Sequence, residues 1–114
     1  MKKIILDTSF IMAAARQKVD FFHDHKVIGY SFVVPEQTIR ELKGLGSKIS
    51  LKILESNKEK YTLISSPGKD ADNAIIAYAK KNPGAIVATL DQGLQKKLKN
   101  KKLILRQRKK IEIV

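Results

Sequence analysis

The sequence predicts a three-layer α/β domain built on a mostly parallel sheet. Short apolar segments alternate with segments of helical periodicity along all 114 residues. Strands joined through helices take right-handed crossovers into a parallel sheet. Two of the apolar segments, Ile4-Ile5-Leu6 and Ala85-Ile86-Val87-Ala88, lack polar alternation, as central strands covered on both faces do. The length and the 43% hydrophobic content suit one domain over residues 1–114, with a basic C-terminal segment at about 96–110.

The elements follow in order. Lys3–Leu6 is a buried strand ended by Asp7. Thr8 or Ser9 can cap a helix running through Ile11, Met12 and Ala15. Residues 19–26 read as a second short helical segment. Residues 30–34 are β-branched and aromatic, and Pro35 ends that strand and starts a helix. Its inward positions are Ile39 and Leu42, and Gly44 and Gly46 stop it. Ser47 caps the next helix, with Ile49, Ile53 and Leu54 on one face. Tyr61–Ile64 is a strand followed by a Ser-Ser-Pro-Gly turn. Residues 70–81 form a helix with Ile75, Ile76 and Ala79 inward, ended by Asn82-Pro83-Gly84. Residues 85–89 are the second wholly apolar strand, 91–98 a lysine-rich helix, 103–105 a strand, and 111–114 a last edge strand.

Charge is distributed unevenly. The net charge is +12, and nine basic residues fall between Lys96 and Lys110 with no acid between Asp91 and Glu112. Removing those nine leaves 14 of the 23 basic residues against all 11 acids, a balance of only +3. Seven of the nine are lysines. A local positive field of this kind raises the concentration of a polyanion, and Lys96, Lys97, Arg106, Arg108, Lys109 and Lys110 are the candidate residues for binding one. The bland alternative is a solvated lysine-rich surface. The chain has no cysteine, which excludes disulfides, zinc–thiolate sites and thiol catalysis. The apolar run at the start stops at Asp7, too early for a signal peptide. No segment reaches the roughly 20 apolar residues of a membrane span, so a cytoplasmic protein with no membrane partner is expected. His23 and His25, two residues apart, point different ways on a helix and read as surface residues.

Four carboxylates carry the chemistry. Asp7 ends the first strand, and Asp91 lies just beyond the strand at 85–89. If those strands are neighbours, both acids sit over the carboxyl edge of the sheet, where open α/β sheets place their sites. Asp72 lies in the first turn of its helix near the same edge, and Glu41 lies mid-helix beside inward-facing Leu42. Carboxylates gathered in one cleft repel, and a divalent cation relieves the repulsion. All-oxygen ligands without cysteine select Mg²⁺ or Mn²⁺ over zinc, and such an ion can lower the pKa of water for hydrolysis. Each acid also has a plain structural role open to it. Asp7 and Asp91 could be helix caps. Asp72 could favour a helix dipole, with Asp70 an equal candidate. Glu41 could pair with Arg40 or Lys43 on a solvent face.

The segments Ile4-Ile5-Leu6-Asp7-Thr8-Ser9, Ile39-Arg40-Glu41-Leu42, Ala71-Asp72-Asn73-Ala74-Ile75 and Ala88-Thr89-Leu90-Asp91 resemble, in order, the four motifs of PIN-domain nucleases. The end of the chain, Leu105-Arg106-Gln107-Arg108-Lys109-Lys110-Ile111-Glu112, is similar to that of eukaryotic PIN nucleases that process small-subunit ribosomal RNA, and the whole resembles a small archaeal PIN protein. The resemblance implies a five-stranded sheet of order 3-2-1-4-5 and a divalent-metal-dependent endoribonuclease, frequently a homodimer. It makes Asp7, Glu41, Asp72 and Asp91 the catalytic, metal-binding acids, with Ser9 and Thr89 orienting ligands behind them. One departure stands out: many members carry a further acid two residues after the fourth-motif Asp, where this chain has Gly93.

Two other functions fit the same resemblance. One is a non-catalytic RNA-binding ribosome-assembly factor that keeps the fold and the basic tail. The other is a toxin-type PIN ribonuclease held by an antitoxin. Two further classes with strand-end aspartates fit poorly. A phosphorelay receiver needs an acidic pair after its first strand, and a haloacid-dehalogenase-type phosphatase needs Asp-x-Asp there; this chain has Asp7-Thr8-Ser9. Phe21, Phe22 and Ile28 are the spare apolar residues from which a dimer contact could be made.

Overall fold

The computed structural model describes residues 2–114. The chain runs β1 (Lys3–Leu6), α1 (Thr8–Gln17), two 3-10 turns (Phe21–His23 and His25–Val27), β2 (Ser31–Pro35), α2 (Glu36–Gly44) and α3 (Lys48–Ser56). A 3-10 turn at Lys58–Lys60 then leads to β3 (Tyr61–Ile64), α4 (Ala71–Lys81), β4 (Ile86–Ala88), α5 (Gln92–Lys96), β5 (Lys102–Arg106) and β6 (Lys110–Ile113). The strands form one sheet of order β3-β2-β1-β4-β5-β6. The first five are parallel in the expected order, and β6 adds an antiparallel edge by hairpin pairing with β5.

The three layers follow from the two-residue side-chain period of the strands. Along β1, Ile4 and Leu6 point into one core with Phe10, Ile11, Phe32 and Leu42. Ile5 points into the other with Val33, Ile75, Val87 and Leu94. All three β1 residues are fully buried, which is why the strand reads as a continuous apolar run. Helices α1, α2 and α3 cover the first face and α4 and α5 the second.

Several expectations need correcting. Residues 19–26 do not form a helix: Lys18 takes a left-handed conformation (φ 58°) that ends α1, and two 3-10 turns follow. Phe21 and Phe22 fold into the core against Phe10 and Phe32 and reach the surface only as lining of a depression shared with Val19, Ile49 and Ile53, whereas Ile28 is exposed. In α3 the buried pair is Ser50 and Leu54, while Ile49 faces outward at 67% exposure. The helices expected at 70–81 and 91–98 each begin one residue later, because Asp70 and Asp91 cap them by accepting from Asn73 N and Leu94 N. His23 and His25 are exposed beside Asp20 and Asp24. Among the described residues no helix is long and apolar enough to cross a membrane.

Candidate active site

β1 and β4 are neighbours, with Leu6 opposite Ala88 and Asp7 N donating to Ala88 O at 3.0 Å. The parallel pairing puts Asp7 and Thr89 side by side at the carboxyl edge. Thr89 Oγ1 donates to Asp7 Oδ2 at 2.7 Å and Ser9 Oγ donates to the same oxygen at 2.8 Å. Those hydroxyls are anchored in turn: Leu90 N donates to Ser9 Oγ and Asp91 N to Thr89 Oγ1, each at 3.1 Å. Two donors on one oxygen fix the plane of a carboxylate that is only 3% exposed. The same network ties Asp91 to Asp7 through Thr89.

Glu41 does not face solvent in a pair with Arg40 or Lys43. Its Oε1 accepts from Thr8 Oγ1 at 2.7 Å and its Oε2 from Ala71 N at 2.8 Å. Ala71 N is a free donor at the start of α4, so the carboxylate satisfies a helix-terminal N–H and holds α4 against α1. Asp72, the next residue, is thereby held near the same edge. The turn before α4 is fixed from α2: Gln37 Nε2 donates to Ser66 O at 2.7 Å and Gly68 O at 2.9 Å. Thr8, Gln37 and Gly68 escaped the sequence reading as parts of this site. Thr8 could be seen only as a cap, and nothing near Gln37 in sequence signals the turn it holds.

Asp72 lies within electrostatic reach of the other three acids. Burial pushes the Asp72 carboxyl above the ordinary carboxylate range, and the charges of Asp7, Asp91, Asp70 and Glu41 push it further. Asp7 is also raised, chiefly by burial and slightly by Glu41, against the lowering effect of its hydrogen bonds from Thr89, Ser9 and the Thr8 backbone. The described ion pairs are His23–Asp20, His25–Asp24, Lys58–Glu55 and Arg106–Glu112. Thus, although the chain has 23 basic residues, among the described residues none pairs with Asp7, Glu41, Asp72 or Asp91. Among the described residues no group of three or more acids is arranged to hold a metal ion. A hard divalent cation fits this donor set: all oxygen, mutually repelling, and lacking any basic partner. Asp7 and Glu41 are already fixed, while Asp91 is exposed and Asp72 half-buried.

The six candidate RNA-binding residues do not form one surface. β5 crosses the sheet parallel to β4, so Arg106, Arg108, Lys109 and Lys110 lie at the carboxyl edge, in and beside the β5–β6 turn. Lys96 ends α5, and Lys97 lines a depression with Lys80, Pro83 and Asn100 toward the amino edge.

Residues 4–109 match the PIN-like domain family. The chain belongs to that family. It is 30% identical to ribonuclease VapC4 of Methanocaldococcus jannaschii over 99% of this chain and 97% of that protein. It is 27% identical to the rRNA-processing protein fcf1 of Schizosaccharomyces pombe over 84% of this chain, spanning 53% of that longer protein. The PIN domain endonuclease Utp24 has the same fold, with a TM-score of 0.84 over 97% of this chain and 90% of that one at 24% identity.

Proposed function

We propose that this PIN protein is a divalent-metal-dependent endoribonuclease, with Asp7, Glu41, Asp72 and Asp91 as its active-site acids. What supports the reading is that Asp72 feels the charges of Asp7, Glu41 and Asp91, and that among the described residues none of the four has a basic partner in so basic a chain. The similarity to a ribonuclease over almost its whole length supports RNA as the substrate.

The chain's own residues would act as follows. Ser9 and Thr89 hold the Asp7 carboxylate in one plane. Thr8 holds Glu41, and Glu41 fixes the start of α4 and so the position of Asp72. Asp7, Glu41, Asp72 and Asp91 would together hold Mg²⁺ or Mn²⁺. The ion supplies Lewis-acid activation of water and neutralises charge on the phosphodiester. Arg106, Arg108, Lys109 and Lys110, on the same edge, draw the backbone toward the cleft as point charges and guanidinium donors. Lys96 and Lys97 touch RNA only where it passes beyond that edge.

A role in rRNA processing is the narrower reading. It rests on likeness to fcf1, an rRNA-processing protein of which the chain spans about half. The homodimer implied by the resemblance would draw on exposed Ile28, Leu45 and Ile49, since Phe21 and Phe22 are core residues. The deciding experiment is incubation of the protein with labelled structured RNA in EDTA, Mg²⁺ or Mn²⁺. Cleavage restored by either ion and absent in EDTA is expected. Cleavage that EDTA leaves unchanged would refute the mechanism, and no cleavage with any ion would favour a non-catalytic RNA-binding role.

A further inference from the structure

The amino edge of the sheet carries a second basic surface, on the other side of the molecule from the acids. β1, β4 and β5 are parallel neighbours, so the segments entering them share that edge. Lys2, Lys3 and Lys81 line a depression of about 430 Å³ with the Asn82-Pro83-Gly84 turn. Lys80, Lys97 and Lys99 line an adjoining one of about 520 Å³ with Pro83 and Asn100. Pro83 belongs to both, and no aspartate or glutamate lines either.

The two lysine-bearing loops are held as one unit. Asn100 is 8% exposed, and its Nδ2 donates to Ala85 O at 2.9 Å, Asn82 O at 3.1 Å and, more weakly, Pro83 O at 3.4 Å. Lys102 Nζ donates to Leu98 O at 2.9 Å, bracing the same loop from the other side. A buried asparagine that fastens one loop to the other keeps the spacing of lysines that would otherwise repel one another.

We infer that this amino-edge surface is a second binding surface for the RNA backbone, separate from the cleft, and that the preferred substrate is an RNA long or folded enough to touch both edges. The inference rests on the ribonuclease reading for its choice of polyanion. Its chemistry favours phosphates over bases: the cations are all lysines, which act as point charges rather than bidentate readers, and no aromatic side chain lines either depression on which a base could stack. The molecule measures 30 × 29 × 27 Å along its principal axes, so a short oligonucleotide held in the cleft does not reach the far edge, whereas a folded RNA does.

The test is the salt dependence of binding to a long stem–loop RNA, measured in EDTA so that no substrate is consumed. The variant Lys2→Gln/Lys80→Gln/Lys81→Gln/Lys99→Gln should lower the magnitude of the log–log salt slope by about 0.7–0.9 for each phosphate it no longer neutralises. It should weaken binding at least tenfold at low salt. The matching Lys→Arg set should restore both, and cleavage of a pentanucleotide with Mn²⁺ should stay at the wild-type rate. An unchanged slope in a variant that melts like wild type overturns the inference. Equal losses on the stem–loop and the pentanucleotide overturn it too, because the lysines would then serve the cleft. Failure of the ribonuclease reading is seen separately, as a wild-type protein that cleaves neither RNA.

Discussion

The carboxyl and amino edges of the sheet carry charge in opposite ways. At the carboxyl edge, Asp7 is almost fully buried, Asp72 feels the charges of the other acids, and among the described residues no basic side chain pairs with any of the four, although Arg106, Arg108, Lys109 and Lys110 lie at the same edge. At the amino edge, lysines stand in solvent on loops that are firmly fastened beneath them. The first arrangement costs stability and is tolerated where chemistry needs it. The second costs little, because exposed cations are solvated and screened. Substitutions should therefore affect the two edges in different measurements: turnover and intrinsic stability at one, salt-dependent affinity at the other.

The largest effect should come from Asp7→Asn. Removing a charge that works in the transition state costs several kcal/mol, so cleavage should fall on the order of a thousandfold. Yet the variant should melt at a higher temperature than wild type in EDTA. The sign follows from the raised Asp7 pKa. Between the unfolded and the folded pKa the native state keeps a proton that the unfolded chain releases, so stability falls as pH rises through that window and stays lower at neutral pH. Asparagine carries no such charge and can still accept from Ser9 and Thr89. Melting curves from the acid range to neutrality should show wild type losing ground to Asp7→Asn as pH rises, and Mg²⁺ or Mn²⁺ should stabilise wild type alone. A variant less stable than wild type at neutral pH without metal would mean that Asp7 is a structural acid, and the contrast between the edges would disappear.

A smaller effect is expected at Gly68, which positions Asp72 without touching substrate. Its φ of +135° is a conformation that side chains rarely adopt, and a Cβ there would lie 2.7 Å from Asn73 Cβ and 2.8 Å from Ala74 N. Gly68→Ala must push the turn away from the start of α4. It should destabilise the fold by about 1–3 kcal/mol and reduce cleavage of all RNAs alike, while leaving the salt slope of RNA binding unchanged. A change in slope with no loss of cleavage would reverse the roles assigned to this turn.

How far the sequence revealed these features depended on the range of the interactions. Asp7 and Asp91 were legible because each follows an apolar strand, and a parallel sheet turns that local fact into a shared edge. The alternation of Ile4, Ile5 and Leu6 between two cores is likewise local. Glu41 was legible as an acid but not as a clamp, since its partners Thr8 and Ala71 lie 33 and 30 residues away. In α3 Ile53 and Leu54 do meet the core but Ile49 does not, because buried Ser50, which accepts from Ser47 Oγ, takes an inward place and gives no apolar signal. The basic tail was misleading for the opposite reason. Its residues are close in sequence, but β5 carries the chain across the sheet, so near neighbours end at opposite edges.

The smallest effect should be found in the β5–β6 turn, at the same edge of the sheet as the acids. Arg108 and Lys109 have φ values of 65° and 61°, a left-handed conformation in which a residue with a side chain loses about 1–2 kcal/mol relative to its relaxed state. Hairpins normally place asparagine and glycine at such positions. Lys109→Gly should relieve that strain, and after allowing for the greater freedom of glycine in the unfolded chain it should stabilise the protein by about 0.5–1 kcal/mol. If the turn serves only to return the chain into β6, nothing else should change. If it presents cations to RNA at the cleft, the more stable variant should bind the pentanucleotide more weakly, with a salt slope reduced by about 0.7–0.9. Comparing melting and pentanucleotide affinity for Lys109→Gly with those for Lys109→Arg separates the two. Arginine retains both the strain and the charge and should leave affinity close to wild type. A glycine variant that gains stability with no drop in affinity would remove this turn from the RNA path and leave the amino edge as the principal surface that grips the backbone.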